Sequence, residues 1–274
     1  MTVERPDSRR QRQLVAGLVL LGLLSFLIAL IVRLPAAQAW QWFGQDLPVR
    51  LEGPSGSAWN GRAARLHYQD EVFHDLRWRF LPARLLSARA TVDFSLRAEQ
   101  GRIQGRASSG PRRDLQLQDL RADLPVAQVL RLADQGRLPV DVDGRFDAFL
   151  EHVRIDADGS LREIRGLLNW IEGGFTLADP VELGSYALRI EGDQDRLQGQ
   201  LQDIEAVLRL EGEITLLPGS GDIRGEIIMQ ALDGADPALI ENMRFAGLPE
   251  PTAENQVRFQ GNLADPFGFR GDIQ

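Results

Sequence analysis

Three histidines, a surplus of carboxylates and no cysteine are the raw material for chemistry in this 274-residue chain. His67 and His74 flank Asp70, Glu71 and Asp75, a set that superficially resembles a metal-ligand cluster. On a strand–turn–strand, side chains alternate faces, and no spacing here matches the helical HExxH arrangement that gathers two imidazoles on one side. The cluster is read as a solvated hairpin, and His152, which stands alone, as a surface residue. Gly53-Pro54-Ser55-Gly56-Ser57 lacks the second glycine of a nucleophile elbow, and no strand–turn–helix pattern surrounds it. Asp156-Ala157-Asp158-Gly159-Ser160 opens like a calcium loop, but Leu161 stands where the turn glycine belongs and Leu167 where the bidentate glutamate belongs. Gly219-Ser220-Gly221 is followed by a strand and no lysine, so it is not a phosphate loop. Without cysteine there is no thiolate nucleophile, disulfide or sulfur-ligated metal. Arginines alternating with carboxylates along strands read as cross-strand ion pairs on a wet face. The expectation is a chain that is not an enzyme, with no catalytic, cofactor-binding or metal-binding residues.

The elements behind these residues begin with Leu14–Val32, nineteen residues without a charge. As a helix they span about 28 Å, close to the hydrocarbon thickness of a bilayer. Gly17, Gly22 and Ser25 are residue types that membrane helices tolerate. Leu14, Leu18, Leu21, Leu24, Phe26, Leu30 and Val32 are the expected membrane-anchor residues. Pro35-Ala36-Ala37-Gln38-Ala39 offers the small-x-small site of a cleaved signal, but the apolar run is longer than a signal core and Arg33 closes it like a stop-transfer flank. Arg5, Arg9, Arg10 and Arg12 precede the run, which places the amino terminus in the cytoplasm and the remainder outside. The expected division is a tail over 1–13, an anchor over 14–33, a juxtamembrane linker over 34–44 and a periplasmic β-rich domain over 45–274. Within the linker, Trp40, Trp42 and Phe43 suit either the membrane interface or the start of the exported core.

The net charge of −8 argues against nucleic acid, whose phosphates require a basic face. The complete absence of lysine is read as codon bias. From Thr91 onward, short stretches alternate apolar and polar residues around a glycine: Thr91–Arg97, Gly101–Ala107, Val140–Leu150, Glu163–Trp170, Tyr186–Glu191, Arg196–Leu201, Val207–Leu216, Asp222–Met229 and Gln256–Leu263. Period two with turn chemistry between copies predicts antiparallel strands with one wet face. Interior glycines allow bulges and bending, so the sheet is expected to curve. Helices are predicted over Pro125–Gln135 and from Asp236 to about Phe245, with a short turn at Pro82–Ala88. The fold class is therefore all-β with an N-terminal transmembrane helix: a curved antiparallel sheet, open-barrel or trough-like, with two or three short helices.

One stretch carries a resemblance. The Arg33-Leu34-Pro35-Ala36 edge, Val49-x-Leu51, then Ser55-Gly56-Ser57-Ala58-Trp59-Asn60-Gly61-Arg62-Ala63, resembles protein N of the bacterial type II secretion system, as does Leu76-Arg77-Trp78-Arg79-Phe80-Leu81-Pro82 followed by Leu85-Leu86. Position 57 is serine where that family frequently has threonine. The resemblance implies an accessory inner-membrane component, single-pass and non-enzymatic, in the machinery that exports folded proteins across the outer membrane of Gram-negative bacteria. Its implied partners are other inner-membrane and periplasmic subunits, with Ser55, Gly56, Trp59, Gly61 and Trp78 as motif residues available for docking. Read from the residues alone, the same motif is first a structural corner, with glycines for close approach and Trp59 to close one end of the core. A second reading stays open: anchored, glycine-punctuated strands are similar to β-troughs that hold lipid or glycolipid, as in lipopolysaccharide transport or AsmA-like proteins. That reading requires one continuously aliphatic face.

Overall fold

The computed structural model describes residues 33–44, 48–132, 141–176, 180–218, 220–232, 256–262 and 265–273, with Leu18, Leu21, Gly22, Ser25, Leu239 and Glu241. The chain enters through a short helix, α1 (Ala36–Phe43). Pro35, with φ fixed at −64°, caps its start, the alanine-rich run AAQAW favours helix, and Gly44 ends it by donating its N–H to Trp40 O at 2.8 Å. Ala36 is buried, Ala39 and Trp40 are half-buried on the same face, and Trp42 is exposed. This helix occupies the stretch read from the sequence as a linker.

Fifteen strands follow: β1 (Val49–Glu52), β2 (Ser55–Gly56), β3 (Asn60–Tyr68), β4 (Glu71–Phe80), β5 (Ala90–Ala98), β6 (Gly101–Ser109), β7 (Leu115–Pro125), β8 (Asp141–Ile155), β9 (Leu161–Thr176), β10 (Pro180–Asp193), β11 (Leu197–Ala206), β12 (Leu208–Leu217), β13 (Asp222–Ala231), β14 (Gln256–Asn262) and β15 (Asp265–Ile273). They form one open, curved antiparallel sheet in sequence order from β1 through β3 to β15, with β2 paired to β3 at the side. From β3 onward each strand pairs with its sequence neighbours, and β1 reaches past the two-residue β2 to pair with β3. A 3-10 turn (Pro82–Ser87) links β4 to β5.

The curvature has a visible source. The sheet's register slips beside Asp75 in β4, Asp119 in β7, Gly144 in β8, Glu172 in β9 and Gly184 in β10, each at positive φ. An extra residue at each point bends its strand and increases the local twist. Gly184, at φ 106°, packs its Cα against β11 so closely that a side chain there would strike the Ala206 backbone at 2.5 Å. The sequence reading assigned bending to glycines alone; aspartate, which tolerates the left-handed region, supplies two of the five bulges.

Apolar side chains gather on one face in two cores. The first joins Phe73, Ala98 and Leu124 with Leu66, Tyr68, Leu96, Ile103 and two residues of α2 (Val126–Leu132), Val129 and Leu132. The second joins Val181, Leu183, Tyr186 and Leu208 with Trp170, Met229 and Leu239, the last of these helical and 1% exposed. The predicted helix over Pro125–Gln135 is α2, shifted to follow Pro125, which instead ends β7. α2 is fastened by Glu71, whose carboxylate accepts from Gln128 Nε2 at 2.6 Å and pairs with Arg131 Nε at 2.5 Å. Glu71, one of the carboxylates in the apparent ligand cluster, thus acts as a clamp between the β3–β4 hairpin and the helix.

Among the described residues no helix is long and apolar enough to cross a membrane. Leu14, Leu24, Phe26, Leu30 and Val32 lie outside the described residues, while Leu18 and Leu21 are helical and exposed.

Candidate functional site

The motif residues meet at the corner where the chain enters the sheet. Ser57 N–H donates to Asn60 O and Asn60 N–H to Ser57 Oγ, both at 3.0 Å, which closes the turn between β2 and β3. Gly56 turns the chain at φ 83°, where a Cβ would lie 2.7 Å from Asn60 O. Gly61 pairs with Trp78 across β3 and β4, and the indole lies flat over the space that a Cβ at position 61 would fill. Trp78 Nε1 donates to Ala58 O at 3.0 Å, and Trp59 stacks obliquely on Phe80 with ring centroids 5.0 Å apart. Ser55 Oγ accepts from Arg62 Nε at 3.3 Å. Ser55, Gly56, Trp59, Gly61 and Trp78 are thus brought together, and the geometry assigns each a packing or turn role.

The same corner holds the entering chain. Ala58 N–H donates to Leu34 O at 2.8 Å, and Pro35 bridges to Ser57. Beneath α1 an apolar cleft of about 360 Å³ is lined by Ala36, Trp40, Leu51, Leu76, Trp78, Val92 and Phe94, among others. Of the three aromatics in the entry stretch, Trp40 belongs to the domain's packing and Trp42 is 63% exposed. The structural-core reading therefore holds for Trp40.

Across the longer strands the registers align apolar residues into three rows. Ala148, Leu168, Leu188, Leu201, Gly212 and Ile227 lie opposite one another from β8 to β13. Beside them run Leu150, Gly166, Ile190, Gly199, Ile214 and Gly225, in which aliphatic residue and glycine alternate strictly. The third row is Val153, Ile164, Gly192, Leu197, Leu216 and Ile223. No charged side chain enters these rows. The glycines are notches for neighbouring leucines: a Cβ at Gly166 would meet Leu150 Cδ2 at 2.6 Å, and one at Gly199 would meet Leu188 Cδ1 at 3.0 Å. Most of the aliphatic residues in the rows are half-buried rather than sealed.

At the margin of this surface Phe146, Trp170 and Tyr186 line up, with Asp203 completing the row. Trp170 Nε1 donates to Asp143 O at 2.9 Å, and its ring lies 6.0 Å from that of Tyr186. The Tyr186 hydroxyl donates to Leu208 O at 2.8 Å. Burial, with the Asp203 carboxylate as a smaller contribution, pushes its ionisation well above the ordinary tyrosine range. It is a neutral structural hydroxyl, not an acid–base group.

The opposite face is polar. Arg189, Gln200, Glu213, Glu226 and Arg258 lie opposite one another from β10 to β14. Nearer the entry corner, Asp93 accepts from Arg79 at 3.1 Å and Arg106 at 2.8 Å. Burial alone would raise the Asp93 carboxyl, but the two arginine hydrogen bonds outweigh it and hold it below the ordinary carboxylate range. The Glu52 carboxyl is held below its ordinary value chiefly by its hydrogen bond from Arg65. His67 Nε2 lies 3.0 Å from Glu52 Oε1, and His152 Nε2 lies 3.7 Å from Glu163. Among the described residues no group of three or more histidines and carboxylates is gathered for a metal ion. Asp156–Ser160 is a tight turn in which Asp158 Oδ1 accepts from Ser160 N and Oγ at 2.9 and 2.6 Å.

The comparisons follow this geometry. A family model described as "Type II secretion system (T2SS), protein N" matches residues 48–260, which takes in the corner, both cores and the aliphatic rows. The type II secretion system protein N of Aeromonas hydrophila is 27% identical over 266 residues, covering 93% of this chain and all of the relative. No solved structure matches. With a family match across most of its length, from the motif turn at Ser55–Gly61 through both cores and the aliphatic rows, the chain belongs to the type II secretion system protein N family.

Proposed function

We propose that this chain is a non-enzymatic accessory component of the type II secretion machinery, held in the inner membrane by residues 14–33 with its β-rich domain in the periplasm. There it binds other membrane and periplasmic subunits while folded proteins are exported across the outer membrane. The observation that carries this reading is the family match over 48–260 together with a corner that ties the chain's entry to the first strands. A domain gripped within two residues of Arg33 sits at a fixed height above a bilayer and presents the same edge to any neighbouring membrane subunit. The test is made in cells: a photo-crosslinking residue at Arg62, on the exposed side of the corner, captures another subunit of the machinery, whereas one at Gly159 in the distant β8–β9 turn does not. Deleting the chain stops the appearance of exported protein outside the cell. Export at the parental rate without the chain overturns the reading.

A second reading is favoured by the three aliphatic rows, which meet the requirement for a lipid trough of a surface free of charge across six strands. By this reading the face from β8 to β13 receives the acyl chains of a phospholipid or glycolipid. Native mass spectrometry of the full chain released from detergent decides it. Stoichiometric co-purified lipid supports the trough, and a lipid-free, folded chain leaves subunit binding alone.

A further inference from the structure

We propose that the rim formed by the 3-10 turn (Pro82–Ser87) and the β6–β7 turn is a second contact with the bilayer, resting on anionic lipid headgroups beside the anchor. The inference rests on the anchor reading given above and adds a surface to it. The 3-10 turn contains no buried residue, and at its tip Leu85 and Leu86 are 52% and 95% exposed. Two adjacent leucines held in water on an ordered turn form an apolar tip of the kind that inserts at a membrane interface. Arg84 in the same turn, and Arg112 and Arg113 in the next, are exposed, and among the described residues none of the three is paired with a carboxylate. The two turns are one unit, because Arg89 at the end of the first pairs with Asp114 of the second at 2.6 Å.

Topology sets this unit beside the point of entry. Consecutive antiparallel strands return their even-to-odd connections to one end of the sheet, so the β4–β5 and β6–β7 turns share an end with the corner that binds Leu34 and Pro35. The positive charge at this end is densest near the entry. The nearer turns carry the unpaired Arg84, Arg112 and Arg113, whereas in the β8–β9 turn Arg154 and Arg162 balance Asp156 and Asp158, and the β10–β11 turn carries Asp193 and Asp195 with Arg196. An anionic surface therefore attracts the first part of the rim more strongly than the later turns, and the early strands sit nearest the membrane. That charge complementarity, and its continuity with the entry corner, select a lipid surface as the occupant.

The chain has no cysteine, so a single Leu86→Cys substitution carries one environment-sensitive fluorophore, with Ile204→Cys, 60% exposed near the other end of β11, as the comparison. The full chain is reconstituted into vesicles of phosphatidylcholine with phosphatidylglycerol. The probe at position 86 shows blue-shifted emission and is quenched by lipid-borne nitroxide, and the probe at 204 shows neither. Each arginine near an anionic surface is worth roughly fivefold at low salt, so the combined substitutions Arg84→Glu, Arg112→Glu and Arg113→Glu weaken docking by more than about a hundredfold. A probe at 86 as wet as that at 204, in a chain that still floats with the vesicles after an alkaline wash, overturns the inference and leaves the anchor standing. A chain washed off the vesicles overturns the anchor and the inference with it. A shift at 86 that appears only when other secretion subunits are added gives the rim to a protein partner and also overturns it.

Discussion

Glu71 accepts from Gln128 and pairs with Arg131, so one carboxylate at the β3–β4 turn fixes a helix 57 residues further along the chain. Gln128 is 4% exposed and its amide has no route to bulk water. Removing the carboxylate leaves that donor unsatisfied and frees Arg131 from its partner. Glu71→Ala is therefore expected to lower stability by about 1–3 kcal/mol, the cost of an orphaned buried polar group. In urea unfolding followed by circular dichroism this lowers the midpoint at constant slope. An unchanged midpoint removes the clamp from the account. From the sequence alone Glu71 stood among histidines and aspartates as part of an apparent ligand set. Its role was not legible there, because a partner so distant is chosen by tertiary packing and not by local spacing.

At the scale of strands, the Arg79–Asp93–Arg106 ladder joins β4, β5 and β6 on the polar face. The folded-state carboxyl of Asp93 is held below its ordinary value, so it contributes stability that is present above the unfolded value and lost as pH falls through the folded one. The stability gap between the parent chain and Asp93→Asn is thus expected to be widest near neutral pH and to close as pH drops below about 4. Denaturant melts at a series of pH values measure it, and a gap of constant size from neutral pH down to about 3 removes the ladder from the pH response. Alternating arginine and carboxylate along the strands did announce such pairs, since period two puts them on one face. The strands themselves were legible for the same reason, although β7 and β15 were missed: in LQLQDLRADLP the bulge at Asp119 breaks the period-two alternation, and its proline was read as the start of a helix. α1 was hidden by its position, because aromatic residues after an apolar run serve a membrane interface and a packed helix equally well. The aliphatic rows were not legible at all. They depend on registers that accumulate across six strands and on the slip between Leu150 and His152 in β8, none of which a single strand's pattern reveals.

As a whole molecule, the sheet is a chain of hairpins in which, from β3 onward, each strand pairs with its sequence neighbours, and β1 pairs with β3. A structure built this way resembles a one-dimensional array, whose stability is a sum of local terms and whose ends have one neighbour fewer. The longest strands, β8, β9 and β10 with 15, 16 and 14 residues, lie in the middle. β1 has four residues and stands at one edge, and β15 stands at the other with a neighbour on one side only. Opening the edge strands exposes one ladder, while opening β9 breaks two of the longest and uncovers the Trp170–Tyr186 packing. Native-state hydrogen exchange is therefore expected to be graded, slowest in β8 to β10 and faster toward β14 and β15. At the other edge α1 and the Trp78 corner pack against the first strands, so protection is expected to fall less steeply there. Peptide-resolved exchange of the full chain reads this directly. A single exchange rate shared by all strands means that the sheet opens as one cooperative unit, and the additive picture fails. The graded outcome has a consequence for secretion: an edge strand that opens without unfolding the centre has free N–H and C=O groups to offer a partner strand, while the entry corner keeps its grip on the chain.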